Sequence, residues 1–452
     1  MINKLISITF IIVIFVSNAV LSRTFIIDKN NKYSDDSNPG TFSLPLKTIQ
    51  SGINLAQAGD TILVMPGIYT EALRIKRSGN KDAGDIVIKS SKKYGAVIDG
   101  TNIQKNKLIY WHGKSDGGKN KDYIVFDGFD VVNAKKWAFW IQGDYNIFKN
   151  LKVHETGSSA IQLITGSHNQ FINNEIFNTG WNGISWESNN GECGIRTDSN
   201  LVMGNYFHDL KYHVAVNGFP NESTEKPYKY GGKGNRILKN IIRQCLEGIY
   251  LRYEKDFLIE GNLIENINKD AIFFHYYNND KAPYVANGKI INNTIAKIGY
   301  NGISNSNAKN LDIINNIFYD NGDSLKTQPY YSYCIYWYPI TASENNNMNA
   351  NLYYNDNGNK NLVYLYDGNK NFSELNMLGF EKEGKQANPM FVNPKNGNYS
   401  LNKNSPAIDA GIRLTGDDGK VDINSVRRSQ GGKIDLGAYE YIQNKRGFIF
   451  KD

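Results

Sequence analysis

Residues 145–177 read YNIFKNLKVHETGSSAIQLITGSHNQFINNEIF, and the two ends of this stretch say nearly the same thing. YNIFKNLKV at 145–153 returns as NQFINNEIF at 169–177, with Asn150 and Asn174 as landmarks. Further copies follow as NLVMGNYFH, NRILKNIIR, DFLIEGNLI, GKIINNTIA and NLDIINNIF, carrying Asn205, Asn240, Asn262, Asn293 and Asn316. The seven asparagines lie 24, 31, 35, 22, 31 and 23 residues apart, a unit of 22 to 24 residues with occasional insertions. A recurring period of that length marks a solenoid. The runs are short, rich in β-formers and alternate with period two, so each repeat is expected to be one coil of strands. Stacked coils place each asparagine on its counterpart, where side-chain amides can donate and accept in a ladder. Asparagine also tolerates the left-handed backbone expected of the turn that holds it.

The rest of the chain fits an exported all-β protein. After Lys4 comes the apolar run Leu5 to Val16, then SNAVLS, which reads as a leader cut at Ser22/Arg23 and is too short for a comfortable membrane span. No second long apolar stretch follows, so a secreted monomer with no membrane span is expected. The formal charge of +7 is spread out, without the Lys/Arg block of a nucleic-acid arm, and modestly favours anionic partners. Cys193, Cys245 and Cys334 make no disulfide framework for so long a chain.

Before the repeats, residues 23–71 carry a strand, a polar loop, a short amphipathic helix with Ile49, Ile53, Leu55 and Ala56 on one face, and another strand. A solenoid must close its first coil against water, and this helix is a natural cap. The motifs DSNPGTFSLPLKTIQ and AGDTILVMPGIYTE, the coils, and the closing NSPAIDAG and DLGAYEY together resemble the right-handed parallel β-helix proteins of the pectate-lyase-like superfamily. The resemblance implies a right-handed parallel β-helix, but it covers polysaccharide lyases, glycoside hydrolases, epimerases and proteins without known activity. The expected organisation is a leader at 1–22, the β-helix with its N-terminal cap at 23–367, and an irregular C-terminal cap and tail at 368–452.

One strand of each coil holds the candidate chemistry. Aligning WAFWIQ, SAIQLI, NGISWE, HVAVNG, EGIYLR, DAIFFH, NGISNS and YCIYWY puts Ile161, Ile184, Ala215, Ile249, Ile272 and Ile303 inward. Outward, a first column reads Trp140, Gln162, Ser185, Val216, Tyr250, Phe273, Ser304 and Tyr336. A second reads Gln142, Ile164, Glu187, Gly218, Arg252, His275, Ser306 and Tyr338. His213, Glu247 and Asp270 form a third, just before the strand. Ionisable groups thus concentrate in a few neighbouring coils. The loops that swell beside them bring Tyr228, Tyr230, Tyr276, Tyr277 and Tyr284, with Trp181 near the opposite turn, to stack on sugar faces. Taken singly these residues have plainer readings: Glu187 and Arg252 as a surface ion pair, His275 as a satisfied imidazole, Tyr250 as packing. His154, Glu155, His208 and Asp209 form a lesser polar group elsewhere.

β-Elimination of a uronate polymer needs a cation beside the carboxylate, a base for the adjacent proton and an acid for the departing oxygen. Arg252 as carboxylate clamp and His275 or Tyr250 as proton carrier would supply these. Lys255 is a second base, and calcium held by carboxylates is an alternative counter-charge. Superfamily lyases similar to chondroitinase B and related alginate lyases use a lysine base and an arginine acid in consecutive coils of this strand. Here the comparable column offers Arg252 then His275, while Glu247 and Asn217 loosely match their calcium-binding glutamates. The expected catalytic set is Arg252, His275, Tyr250, Glu187 and Glu247, and the substrate-binding set Trp181, His213, Lys255, Asp270, Tyr276 and Tyr230. The alternatives are hydrolysis through paired carboxylates, drawn from Glu187, Glu247, Asp270 and Glu254, or a glycan-binding surface without turnover.

Overall fold

The computed structural model describes residues 22–111, 120–186, 197–218, 232–275, 285–306, 308–322, 333–337, 345–356, 362–365, 367–414, 420–429 and 431–442. Each coil gives one short strand to each of three sheets, and every sheet has twelve strands. The first sheet runs from Thr24–Ile27 to Asn347–Asn349, the second from Leu73–Arg74 to Gly368–Lys370, and the third from Gly67–Tyr69 to Lys385–Gln386. Neighbours are parallel throughout, except that Gly368–Lys370 turns back against Val363–Leu365. This is a right-handed parallel β-helix with one continuous apolar core inside the coil.

The asparagine ladder exists and is shifted from its expected position by one residue at its start. Asn174, Asn205, Asn240, Asn262, Asn293, Asn316 and Asn351 are all 0–1% exposed. In each, the side-chain oxygen accepts from the backbone and side-chain amides of the preceding coil's asparagine wherever that residue is one. Asn240, for instance, donates from N at 2.8 Å and from Nδ2 at 2.9 Å to Asn262 Oδ1. At the start of the ladder Leu151 holds the position, donating its N–H to Asn174 Oδ1 at 2.9 Å. Asn150 belongs to the residue before it, the one with left-handed backbone. That row is Asn150, Asn173, Gly204, Lys239, Gly261, Asn292, Asn315 and Ala350, with φ between 54° and 67°. Ladder and left-handed turn are therefore two adjacent rows, not one residue doing both jobs.

A second ladder, unforeseen in the sequence, runs through Asn146, Asn169, Asn200 and Asn235, each 0–2% exposed, with N–H to Oδ1 distances of 2.8–2.9 Å. Both ladders end on a buried glutamate. Asn351 donates to both oxygens of Glu381, and Tyr353 Oη joins at 2.7 Å. Asn235 Nδ2 donates to Glu254 Oε2 at 2.9 Å, while Trp186 Nε1 reaches Glu254 Oε1 at 2.7 Å. Burial pushes each of these carboxyls up to about 7 against the hydrogen bonds that favour the charge. Since the folded chain then holds these protons more tightly than the unfolded one, their contribution is complete below the ordinary glutamate pKa. It fades as pH rises through 7. Resistance to urea is expected to fall between pH 5 and 8 by up to about 3 kcal/mol per glutamate, and Glu381→Gln should flatten the slope; a urea midpoint that rises over this range contradicts the assignment.

The terminal motifs are structural. Helix α1 (Ile49–Leu55) is capped by Thr48, and the motif residues Asp36 and Glu71 accept from its otherwise unpaired N–H groups at Thr48, Ile49 and Gln50. Ile49 and Ile53 are buried as expected; Leu55 is 43% exposed, because the helix ends there before it could turn inward. At the other end, helix α2 (Phe372–Met377) leads to Glu381, which closes the first ladder. The described residues between 388 and 442 then lie along the flank of the coil. Phe391, Tyr399, Leu401, Ala407 and Leu436 pack on Leu263, Ala296, Ile317 and Leu352 of the third sheet. Asp435 holds the closing motif together by accepting from Asp409 N at 2.7 Å and Tyr441 N at 2.6 Å. The third sheet's flank is thus covered by this segment, and among the described residues no comparable segment packs on the second sheet.

Candidate active face on the second sheet

Cross-strand pairing gives the outer column of the second sheet as Tyr110, Trp140, Gln162, Ser185, Asn217, Tyr250, Phe273, Ser304, Tyr336 and Tyr364. Every member predicted from sequence is in place but one. Val216 pairs with Ile184 and Ile249 inside the coil, so Asn217 takes the outer position and donates to Ser185 Oγ at 3.2 Å. The slip has a physical cause: Val214, Ala215 and Val216 are all apolar and buried, so alternation cannot say which of them faces the core. The same slip moves Gly218 out of the second column to pair with Trp186 and Leu251. A side chain at Gly218 would meet Trp186 Nε1 at 2.8 Å, so this glycine leaves the indole room to reach Glu254. It also removes His213 from the third column, since Val214 is the partner of Glu247.

At the centre of the face, the Tyr250 hydroxyl is hydrogen-bonded to His275 Nδ1. The imidazole stacks on Phe273, ring centroids 5.3 Å apart, and meets the Tyr250 ring edge-on at 5.5 Å. Burial holds the phenol above its ordinary range, partly offset by the Arg252 guanidinium. Leu251 pairs with Phe274, so Arg252 and His275 follow at the same height, as expected. Arg252 is not an exposed clamp, however. It is 2% exposed, lies 5.0 Å from the Tyr253 ring centroid and donates to Tyr253 Oη at 3.4 Å. Tyr253, just after the strand, has left-handed backbone (φ 56°), and the Arg252 guanidinium acts on the Tyr250 phenol through its charge.

The remaining candidates separate. Glu247 is half-buried beside Lys269 Nζ at 3.6 Å, and burial, with Asp270 adding to it, raises its carboxyl above the usual range. Asp270 is 8% exposed and accepts from Ser304 Oγ at 2.7 Å and Asn301 N at 3.1 Å, so it braces the next coil instead of facing a ligand. Lys255 is exposed at the following turn, bridged through its backbone to Lys233 and Ala286. Trp181, in the turn before Ile184–Trp186, meets His213 with ring centroids 3.5 Å apart and planes tilted by 30°, and lines a cleft with Trp137 and Trp140. Glu187, Tyr230 and Tyr276, with Tyr228, Tyr277 and Tyr284, lie outside the described residues. His154 pairs with Asp130 at 3.0 Å, His208 with Asp209 at 2.7 Å, and both rings sandwich Phe177 on the third sheet. Cys245 and Cys334 are buried free thiols.

Sequence reading missed two features of the face. Glu254, weighed only as a hydrolytic carboxylate, is fully buried under Trp186 and Asn235. The tryptophans Trp137, Trp140 and Trp181 converge, and their signal was the W-x-x-W of residues 137–140. Among the described residues no three His, Cys, Asp or Glu side chains stand together as a metal site. Glu247 is engaged by Lys269, and Asp270 by Ser304 and Asn301.

A family model for the "Pel9A-like, right handed beta helix region" matches residues 30–209, and one for the "Right handed beta helix region" matches residues 228–379. Both models describe a right-handed β-helix region, the fold seen here. Among solved structures, this β-helix protein is similar to XylC in complex with xylose, at 12% identity and a TM-score of 0.56, covering 92% of this chain and 98% of that one. It is similar to pectate lyase Pel9A at 17% identity and a TM-score of 0.53, covering 93% and 97%. A rhamnogalacturonan lyase aligns at 14% identity and a TM-score of 0.54, covering 73% and 87%. No curated protein matches the chain. No helix among the described residues is long and apolar enough to cross a membrane.

Proposed function

We propose that this β-helix protein acts outside the cell on a polysaccharide laid along its second sheet, and that it cleaves an acidic, uronate-containing polymer by β-elimination. The observation that carries the reading is the hydrogen bond between the Tyr250 hydroxyl and His275 on the outer column. Neutral His275 draws the phenolic proton, and the phenolate oxygen takes the proton on the carbon next to the uronate carboxylate. A carbon–carbon double bond forms as the bond to the departing sugar oxygen breaks. That oxygen receives the proton from Tyr250, and His275 returns its own to the phenolate, so no net proton is consumed. Arg252 favours the phenolate through its field. Lys269, paired with Glu247 one step before the strand, is the accessible cation for the carboxylate.

Polygalacturonate, alginate, chondroitin and neutral glucans should be tested with and without chelator. The ultraviolet absorbance of an unsaturated uronide is expected from at least one acidic polymer and from no neutral one; the chelator arm decides whether calcium supplies further counter-charge. Reducing ends without that absorbance would replace elimination by hydrolysis, which the raised carboxyl of Glu247 favours as a general acid. Binding without any cleavage would leave a glycan-binding surface. Export is tested by the mature N-terminus, expected at Arg23.

A further inference from the structure

Four strand spacings up the same face from Tyr250, about 19 Å away at the usual separation of neighbouring strands, lies a cavity of about 430 Å³. Trp137 and Trp140 meet at 4.4 Å with their planes at 63°, and Trp181, 48% exposed, forms another wall. Polar atoms at this cavity are left without partners: Gln162 Nε2 on a side chain 4% exposed, Ser159 Oγ on one 0% exposed, and Trp140 Nε1. A buried donor without an acceptor is costly and asks for an explanation. Lys107 Nζ sits 4.3 Å from the Trp140 ring centroid, and no carboxylate pairs with it among the described residues. Aromatic walls, a buried amide and hydroxyl without partners and a cation beside them are what an acidic pyranose requires. Its apolar face stacks, its hydroxyls take the amide and indole donors, and its carboxylate meets the ammonium.

We infer that the cleft formed by Trp137, Trp140, Trp181, Gln162 and Ser159, with Lys107 beside it over the Trp140 ring, is a distal subsite that binds one uronate residue of the polymer whose cleavage occurs at Tyr250. This deepens the polysaccharide reading and rests on it. One strand spacing is close to the rise of one sugar in an extended glycan, so about four units separate the subsite from the reacting bond. The subsite therefore engages long chains and not short ones.

The test uses the full chain carrying Tyr250→Phe, so that bound sugars are not turned over, and titrates oligogalacturonates and oligoalginates of increasing length by calorimetry, with neutral xylo-oligosaccharides as the uncharged probe. Affinity for at least one acidic series is expected to rise once chains exceed about four units, and adding Trp140→Ala should erase the gain, about tenfold or more. Lys107→Met, which keeps the aliphatic stem over the ring, should lower acidic affinity severalfold and leave any neutral affinity unchanged. It also serves if Trp140→Ala does not fold. Unchanged long-chain affinity in the folded variants, or no length dependence in the parent, overturns the subsite. The elimination reading fails separately: length-dependent acidic binding that Trp140→Ala abolishes, in a wild-type chain that cleaves nothing, keeps the subsite and removes the chemistry.

Discussion

Tyr250→Phe is expected to lower turnover on the acidic polymer by about 10²–10⁴-fold, the range for loss of a positioned acid–base group, while KM and thermal stability change little. The phenylalanine keeps the ring that packs edge-on against Phe273 at 5.3 Å, and loses only the hydroxyl that meets His275. Because His275 must be neutral to draw the phenolic proton, the rate of the native enzyme should fall on acidification, and His275→Gln should lower it and weaken that dependence. The burial of Tyr250 keeps the phenol protonated at rest, so the hydroxyl is available as donor in the second half of the step. Kinetics across pH on the two variants check both claims. A Tyr250→Phe enzyme with native turnover would place the chemistry elsewhere.

The largest stability effect is expected inside the first ladder. Asn262→Ala removes two bonds accepted from Asn240, at 2.8 and 2.9 Å, and two donated to Ile237 O and Asn293 Oδ1, both at 2.9 Å. The side chain is 0% exposed, so water cannot replace it without entering the stack. Buried groups left without partners cost about 1–3 kcal/mol each, and a net loss of about 3–5 kcal/mol is expected after local relaxation. Asn347→Ala removes one exposed side-chain bond, to Asp312 at 3.1 Å, and should stay within about 0.5 kcal/mol. Urea unfolding of the two variants makes the comparison. Equal losses would mean that the ladder is packing filler and not the spine of the coil.

The coil was legible because its two demands, a buried amide at every turn and an aliphatic every second residue, leave a period in the chain. Errors arose where neighbouring residues satisfy the same demand. In Asn173–Asn174, Asn292–Asn293 and Asn315–Asn316 the left-handed residue and the ladder residue are both asparagine, which hid that they are separate rows and led to Asn150 in place of Leu151. The triple apolar run at 214–216 similarly hid Asn217. The height of Arg252 and His275 followed from registry; the burial of Arg252 did not, because period-two alternation assigns a side chain to the outer face without saying what covers it there. Asp270 looked like a ligand because a carboxylate before a strand usually meets water. Its side chain instead folds over to hold Asn301 and Ser304. The tryptophan cleft is not legible along the chain because Trp181 belongs to a later coil, and only the fold brings it to the wall beside Trp137 and Trp140.

The second sheet as the working face is tested most directly by a crystal structure of the Tyr250→Phe chain soaked with an acidic oligosaccharide that the native enzyme cleaves. The account predicts sugar density running parallel to the coil axis from the Trp140 cleft to residue 250, with the carbon to be deprotonated beside the lost hydroxyl and His275. Density on another face, or a sugar chain that passes Tyr250 without approaching it, would contradict it.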